Sequence, residues 1–230
     1  MIKNAKDTVN IMKYKFEACM FDLDGTLCNT LDSIAYFANS ALTFYGYSPI
    51  DTQEYKLMIG NGADMLIRRM LNKVAGKYTE ETIKAVRKKY DELYESEPLK
   101  LVEPYKGIPE LLDKLHSMGI KITVLSNKPD DMTKAVVKGI LGDKFDYVQG
   151  QKKEFEKKPS PQAPLYIAKE INVSPENILY LGDSGVDMQT AINSGFTACG
   201  VSWGFRSVEE LKENGADFIA HTALEILDLF

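Results

Sequence analysis

The chain has 230 residues, of which 44% are hydrophobic and 27% charged, and its net charge at pH 7 is −5. This length accommodates one full-sized domain with a smaller inserted one, and the negative charge argues against a nucleic-acid partner, which needs a basic surface. The two histidines and three scattered cysteines, Cys19, Cys28 and Cys199, argue against a histidine-based metal site, a zinc site and a disulfide framework.

The chain begins with a polar segment of mixed charge, residues 1–15, which lacks the apolar core of a signal peptide. No stretch of the sequence has the length of a transmembrane helix. We therefore expect a cytoplasmic protein with no membrane partner. Residues 1–11 are expected to form a loosely ordered extension ahead of the first strand.

A first buried strand is predicted at residues 18–21, an uninterrupted apolar run typical of a parallel strand covered on both faces. Two carboxylates follow it, Asp22 and Asp24, and their side chains point the same way in extended backbone. Gly25 then permits a sharp turn and a close approach of a ligand to the main chain. Buried acids are costly without a charged neighbour, so the pattern indicates a functional site. A polar turn that caps the strand is the alternative interpretation.

Residues 29–101 show helical periodicity and no good strand. Helices are predicted at residues 30–45, 63–74 and 79–93, and glycine- or proline-containing turns separate them. We interpret this block as a small helical bundle that is inserted after the first strand.

From residue 102 onward the pattern changes to strands that alternate with helices. Strands are predicted at residues 120–125, 147–149, 178–181, 196–201 and 217–220, and helices at 108–118, 132–141, 160–171, 186–194 and 208–214. Such alternation is typical of a doubly wound parallel α/β sheet. Residues 1–28 and 102–230 are therefore predicted to form one Rossmann-like α/β core domain, with residues 29–101 as an inserted helical domain.

Polar side chains lie at the predicted strand ends, where doubly wound proteins bind their ligands. Beyond the first acid pair they are Ser126 and Asn127 after the second strand, Asp183 and Asp187 after the fourth, and Lys158 before a helix. Carboxylates from two strands repel each other unless a cation joins them, and Mg²⁺ suits such hard oxygen donors. Hydroxyl, amide and ammonium groups can hold phosphate oxygens. The set indicates phosphoryl transfer, with one carboxylate attacking phosphorus and another moving the proton.

Each part of this set also has a plainer interpretation. Ser126 and Asn127, taken alone, are better explained as a helix N-cap, and Asp183 and Asp187 are equally well explained as cap and first-turn residues. Three of the four lysines at positions 152, 153, 157 and 158 are expected to be solvated. The order and spacing of the groups together favour the functional interpretation.

Four ordered motifs make the chain similar to the haloacid dehalogenase (HAD) superfamily, and within it to the phosphoglycolate phosphatase-like branch. The motifs lie at residues 21–26 (FDLDGT), 125–128 (LSNK), 158–161 (KPSP) and 182–188 (GDSGVDM). The resemblance covers nearly all of the chain from about residue 15 to residue 230. It implies the fold described above and a Mg²⁺-dependent activity on a phosphorylated substrate.

The resemblance also implies a role for each acid of the motifs. Asp22 is the nucleophile and a Mg²⁺ ligand. Asp24 is the general acid/base, and its backbone carbonyl also binds the metal. Asp183 is the metal ligand of the fourth motif, and Asp187 supports the metal-bound waters or the lysine. An aspartate at position 24, instead of a small residue, resembles a phosphatase or a mutase and not a dehalogenase.

The remaining matched residues are implied to bind the phosphoryl group. Ser126 and Lys158 hold it directly, and Asn127 assists nearby. The helical block resembles the family's cap, which closes over the site, excludes water and selects the leaving group. Residues 58–64 (MIGNGAD) are similar to the cap segment of phosphoglycolate phosphatases, which implies a substrate loop that includes Asn61. Arg68, or its neighbour Arg69, is implied to meet an anionic substrate.

We therefore predict a Mg²⁺-dependent phosphatase that hydrolyses a small phosphorylated metabolite, phosphoglycolate-like, through an aspartyl phosphate on Asp22. The alternative enzymes are a β-phosphoglucomutase-like sugar-phosphate mutase and a pyrophosphatase. A phosphorylatable receiver-like signalling module is the alternative outside catalysis, but receivers have adjacent acids and no helical insertion. The complete motifs also argue against a regulator that kept the fold and lost the activity.

Overall fold

The computed structural model describes residues 16–230, so the predicted extension at residues 1–11 lies outside the described residues. The strands are, in chain order, β1 (Ala18–Phe21), β2 (Cys28–Asn29), β3 (Glu103–Pro104), β4 (Lys121–Pro129), β5 (Tyr147–Gln151), β6 (Ile178–Gly182), β7 (Thr197–Val201) and β8 (Phe218–Ala220). The α-helices are α1 (Leu31–Phe44), α2 (Ala63–Val74), α3 (Glu80–Ser96), α4 (Ile108–Ser117), α5 (Asp130–Val136), α6 (Gln162–Glu170), α7 (Gly185–Ser194) and α8 (Val208–Glu213).

Six of the strands form one parallel sheet in the order β5-β4-β1-β6-β7-β8. β1 is central, and its last residue, Phe21, pairs with Val124 of β4 and Leu181 of β6. The chain runs outward from β1 in both directions, so the crevice at the carboxyl ends of β1, β4 and β6 is the switch point at which such sheets bind ligands. The predicted doubly wound α/β fold is confirmed.

Burial on both faces explains why β1 is an uninterrupted apolar run. Cys19 and Phe21 belong to the hydrophobic cluster on one face of the sheet, and Ala18 and Met20 belong to the cluster on the other. All four residues are fully buried. Neighbouring residues of a strand point to opposite faces, so both sets must be apolar when helices cover both faces.

The helices between β2 and β3 build a hydrophobic cluster of their own, which lies over the carboxyl edge of the sheet. Most of its buried members come from α1, α2, α3 and the short 3₁₀ helix Thr52–Leu57, and Met132 of α5 joins them from the sheet side. β2 and β3 form a short antiparallel pair in which Cys28 pairs with Pro104 and Asn29 with Glu103. This pair joins the two ends of the helical block, and two-residue strands are too short to produce a periodic pattern. The domain boundaries at residues 29 and 101 stay a prediction.

Two predicted elements differ from the structure in ways that affect the site. β4 extends through Ser126 and Asn127 to Pro129, and α5 begins at Asp130. Ser126 and Asn127 therefore lie within a strand, and the N-cap interpretation of these two residues is wrong. The predicted helix at 132–141 divides into α5 and a wider helical turn, Val137–Leu141, and Val136, Val137 and Leu141 pack in the hydrophobic cluster on one face of the sheet. Within residues 16–230, no helix is both long and apolar enough to cross a membrane.

Candidate active site

The polar groups at the ends of β1, β4 and β6 meet around one buried ammonium group. The Nζ atom of Lys158 lies 2.9 Å from Oδ1 of Asp22 and 2.7 Å from Oδ1 of Asp187. All three side chains are buried, and Lys158 also donates to the backbone oxygen of Leu125. All four motifs of the sequence are therefore in contact at the carboxyl edge of the sheet.

Asp183 occupies a tight position beside this group. Its Oδ2 atom accepts a hydrogen bond of 2.7 Å from the backbone N–H of Phe205, and its Oδ1 atom accepts one of 3.4 Å from the hydroxyl of Thr26. A Cβ atom added at Gly25 would lie 2.4 Å from the Asp183 carboxylate, and one added at Gly204 would lie 2.2 Å from its Cβ. The site therefore needs glycine at both positions for the backbone to approach this side chain.

We expect Gly204→Ala to destabilise the fold by about 1–3 kcal/mol, because the new methyl group has to displace Asp183 and the main chain around it. Gly46→Ala is the matched control, since Gly46 has a φ of +78° but nothing lies within 4 Å of its added Cβ. It should cost only the backbone strain, about 1 kcal/mol. Urea unfolding of both variants measures the difference in the free energy of unfolding. Equal losses of stability in the two variants would show that the short distance between Gly204 and Asp183 does not require glycine at position 204.

Burial determines the charge state of the acid cluster. It raises the pKa of Asp22 to about 7, although the Lys158 ammonium acts against this rise. Burial, with Asp187 and Asp22 nearby, also raises the pKa of Asp183 well above its usual range. For Lys158, burial alone would lower the pKa, but Asp187 and Asp22 outweigh it and raise the pKa well above normal. Lys158 is therefore an ammonium ion, and its charge alone does not offset the cost of ionising both Asp22 and Asp183 in this buried position.

This arrangement fits a divalent cation. Asp22, Asp183 and Asp187 each offer a carboxylate oxygen, and these oxygens lie within 4.8 Å of one another. Three buried carboxylates face one ammonium group, so a hard cation would remove the remaining repulsion. Asp187 is the poorest ligand of the three, because both of its oxygens have close partners, Lys158 at 2.7 Å and the Ser184 hydroxyl at 2.6 Å. The contact of Asp183 Oδ1 with Thr26 is longer, at 3.4 Å. Asp22 and Asp183 are left as the better ligands.

Asn127 holds the lysine segment in place. Its Oδ1 atom accepts a hydrogen bond of 2.9 Å from the backbone N–H of Lys158, and its Nδ2 atom donates to the backbone oxygens of Lys158 and Gly60. Ser126, the preceding residue of β4, is buried and accepts a bond from the backbone N–H of Lys128. Both residues line the same cavity as Asp22.

Lys128 is a site residue to which the sequence analysis assigned no role. Its Nζ atom lies 3.2 and 3.3 Å from the two carboxylate oxygens of Asp24, and 2.8 Å from the hydroxyl of Tyr94 on α3. Burial would lower its pKa, but Asp24 and the Tyr94 hydroxyl outweigh this effect and raise it. Lys128 is the last residue of the LSNK motif and directly follows Asn127, a signal that could have revealed it.

A cavity of about 160 Å³ lies between the acid cluster and the helices above it. Its upper wall is mainly apolar and aromatic and includes Ile34, Ile59, Leu66, Tyr90 and Tyr94. Arg87 is a charged residue that also lines the cavity. It forms ion pairs with Asp91, at 2.8 Å, and with Asp64. A small molecule held here contacts the acid cluster on one side and the helical block on the other.

Two residues of the helical block, Asn61 and Arg68, were predicted to bind substrate. Neither lines this cavity, whereas the neighbouring Gly60 and Gly62 do. Asn61 accepts a hydrogen bond of 2.7 Å from Arg69. Arg68 forms an ion pair of 2.7 Å with Glu80 on the outer surface. Its position follows from helical phase, because α2 turns its apolar residues inward and Arg68 lies on the opposite side. The implied contact between Arg68 and the substrate is thus replaced by a surface ion pair.

Three of the four lysines in the lysine-rich loop were predicted to be solvated, and one was predicted to be a site residue. Lys158 is buried, Lys153 is exposed, and Lys152 and Lys157 are partly exposed.

The sequence analysis missed the contact between Phe205 and Asp183. The backbone N–H of Phe205 makes this hydrogen bond, so no side chain in the sequence could have indicated it.

Fold and site together define an α/β enzyme that assembles acids and a lysine at the switch point of its sheet. The sequence profile of the family described as haloacid dehalogenase-like hydrolase matches residues 19–201. The chain belongs to this haloacid dehalogenase-like hydrolase family. This membership contradicts the receiver-like alternative, as does the presence of helices α1–α3.

Named relatives agree with this membership. A phosphoglycolate phosphatase of Vibrio vulnificus is 30% identical over 213 residues, which cover 91% of this chain and 93% of that protein. A phosphoglycolate phosphatase of Mannheimia succiniciproducens is 29% identical, with 95% of this chain and all of that protein covered. A crystal structure of a predicted phosphoglycolate phosphatase from Haemophilus somnus has a TM-score of 0.88 and 26% identity, over 94% of this chain and 98% of that one. The resemblance to the phosphoglycolate phosphatase-like branch is confirmed, and the enzyme class of that branch is phosphoric monoester hydrolase.

Proposed function

We propose that this enzyme is a Mg²⁺-dependent phosphatase that hydrolyses a small phosphoglycolate-like ester through an aspartyl phosphate on Asp22. The observation that supports it most is the position of the Asp22 carboxylate. It lies 2.9 Å from a buried ammonium group and lines the same small cavity as Asp183 and Ser126. A nucleophile, a phosphate-binding cation and metal-ligating oxygens are thus combined in one buried space.

In the first step, a carboxylate oxygen of Asp22 attacks phosphorus. A new bond forms between that oxygen and phosphorus, and the ester bond to the leaving oxygen breaks. Asp24 gives its proton to the leaving oxygen, so the product departs as an alcohol. In the second step, Asp24 takes a proton from water, and the resulting hydroxide attacks phosphorus. The phosphorus–Asp22 bond breaks, and phosphate and the free carboxylate result.

The other residues neutralise and orient the phosphoryl group. The ammonium of Lys158 and the hydroxyl of Ser126 donate to phosphoryl oxygens, while Asn127 keeps Lys158 in position. Asp22, Asp183 and the backbone carbonyl of Asp24 are the proposed ligands of Mg²⁺, which would screen the repulsion between the phosphate and the carboxylates. Catalysis of this kind depends mainly on positioning and charge neutralisation.

The substrate preference is tested with purified enzyme and four phosphate compounds: phosphoglycolate, glucose 1-phosphate, pyrophosphate and p-nitrophenyl phosphate. We expect phosphate release with Mg²⁺, and the highest kcat/KM for phosphoglycolate. Release of phosphate mainly from pyrophosphate would support the pyrophosphatase. Conversion of glucose 1-phosphate to glucose 6-phosphate would support the mutase.

Removal of the metal provides the second test of this function. After treatment with EDTA and desalting, phosphate release from the preferred substrate should fall to background, because three carboxylates then repel the substrate phosphate. Added Mg²⁺ should restore it. Full activity in the metal-free protein would contradict the proposed role of Asp183 as a ligand.

A further inference from the structure

Three consecutive carbonyl groups of the helical block are each held by a different side chain. They lie in residues 58–62, here called the cap loop, which precedes α2. The backbone oxygen of Met58 accepts a hydrogen bond from Arg69 at 2.8 Å, that of Ile59 from Arg206 at 2.9 Å, and that of Gly60 from Asn127 at 3.0 Å. Arg69 belongs to the same helical block, whereas Arg206 and Asn127 belong to the sheet side. Two of the three bonds therefore join the block to the sheet.

Arg206 is placed to connect the loop with the acid cluster. It follows Phe205, whose backbone N–H binds Asp183, and its own side chain is 12% exposed and lines the cavity. Glu210, one turn further along, lies 3.5 Å from its Nε atom. The segment between β7 and α8 thus contacts a proposed metal ligand with one residue and the cap loop with the next.

A second observation supports the same connection. Arg69 and Arg206 donate to adjacent carbonyls of the cap loop, and burial together with the neighbouring Arg206 lowers the pKa of Arg69. Two like-charged groups are unfavourable so close together unless each has its own acceptors. The carbonyls of Met58 and Ile59 provide those acceptors, so the loop geometry depends on both arginines.

We propose that Arg206 is a positioning residue that fastens the cap loop to the sheet and so keeps the cavity over Asp22 covered. Gly60 and Gly62 of the loop line that cavity, and the partner of the Gly60 carbonyl, Asn127, also holds Lys158. The Asn127 side chain therefore links the position of the cap loop to the position of Lys158, the proposed phosphate-binding residue. The kinetic consequence of this inference rests on the proposed function, but its structural consequence does not.

Hydrogen exchange tests the structural consequence on the whole protein without any ligand. In Arg206→Met, the amides of residues 59–63 should exchange about tenfold faster or more, relative to those of β1, because a charge-assisted bond to the loop is lost. Arg68→Met is the matched control, since Arg68 lies on the outer surface, where it forms an ion pair with Glu80. It should leave this ratio unchanged.

The ratio of the exchange rate of the cap-loop amides to that of the β1 amides tests the role of Arg206 even when a variant is less stable overall, because both rates are measured in the same protein. An unchanged ratio in Arg206→Met would overturn the proposal. Arg206→Lys, which keeps a cationic donor, should recover most of the wild-type ratio, and a ratio equal to that of Arg206→Met would count against the hydrogen bond as the cause.

The kinetic test uses the preferred substrate of the wild-type enzyme. Arg206→Met should raise KM by about 10- to 100-fold and change kcat by less, because substrate must then bind to a protein whose closed form is less populated. Equal KM values in Arg206→Met and Arg68→Met would contradict the role in closure. If the wild type released no phosphate from any ester, the proposed function would fail, while the exchange ratio would still decide the role of Arg206.

Discussion

Asp22→Asn lowers kcat for phosphate release by about 10⁴-fold or more, the loss expected when the nucleophile of a covalent mechanism is removed. The amide is uncharged and cannot form the acyl phosphate, while its size and shape are those of the carboxylate. Asp32→Asn is the matched control, because Asp32 is an exposed carboxylate in the first turn of α1. It should keep the wild-type rate. An active Asp22→Asn enzyme would refute the mechanism.

The same variant also gives a stability result that separates loss of chemistry from loss of fold. Because burial raises the pKa of Asp22 to about 7, the folded metal-free protein holds a proton that the unfolded chain releases near its usual pKa of 3.8. The contribution of Asp22 to stability therefore falls as the pH rises from about 4 to about 7. Asp22→Asn has no charge to bury, so at pH 8 without metal it should be more stable than the wild type in urea unfolding.

Lys158→Met should lower kcat/KM by about 10³-fold and destabilise the metal-free fold by about 3–5 kcal/mol. The change leaves Asp22 and Asp187 buried without their ammonium partner, which lies 2.9 and 2.7 Å from them. It also removes the cation that is proposed to hold the phosphoryl group. Added Mg²⁺ should recover part of the stability but little of the activity, because the metal balances charge without replacing this contact.

Lys157→Met provides the control for the second prediction. Lys157 is the preceding residue, is partly exposed, and lies 3.8 Å from Asp64 in the helical block. Its replacement should change kcat/KM and the urea midpoint only slightly. Similar losses in the two lysine variants would show that a general basic environment, and not the buried ammonium at position 158, supports the reaction.

The sequence could predict the groups that are attached to the sheet. β1, β4 and β6 are buried strands with apolar runs that end abruptly in polar residues, and parallel strands bring such ends to one edge. Asp22 and Asp183 were predicted to be neighbours on this ground, and Lys158 was added to them from a loop that precedes a helix. The structure places all three within the same cavity wall.

The sequence could not predict the contacts between the helical block and the sheet. The Lys128 bond to Tyr94 and the Arg206 bond to Ile59 each join residues far apart in the chain, and they depend on how the two layers dock. No local period encodes that docking. The choice between Arg68 and Arg69 differs from these contacts, because the apolar residues of α2 define its inner face and successive helical residues are about 100° apart, so helical phase could have placed Arg68 outside.

The most direct test of the central claim is to trap the covalent intermediate. Wild-type enzyme is mixed with Mg²⁺ and excess substrate, quenched within one turnover and reduced with borohydride, and its peptides are analysed by mass spectrometry. A phosphorylated aspartate is reduced to homoserine, whereas a free carboxylate is unchanged. The mechanism predicts this conversion at Asp22, at no other acid, and only with substrate present. Conversion at Asp24 or Asp183, or phosphate release with no conversion at Asp22, would contradict it.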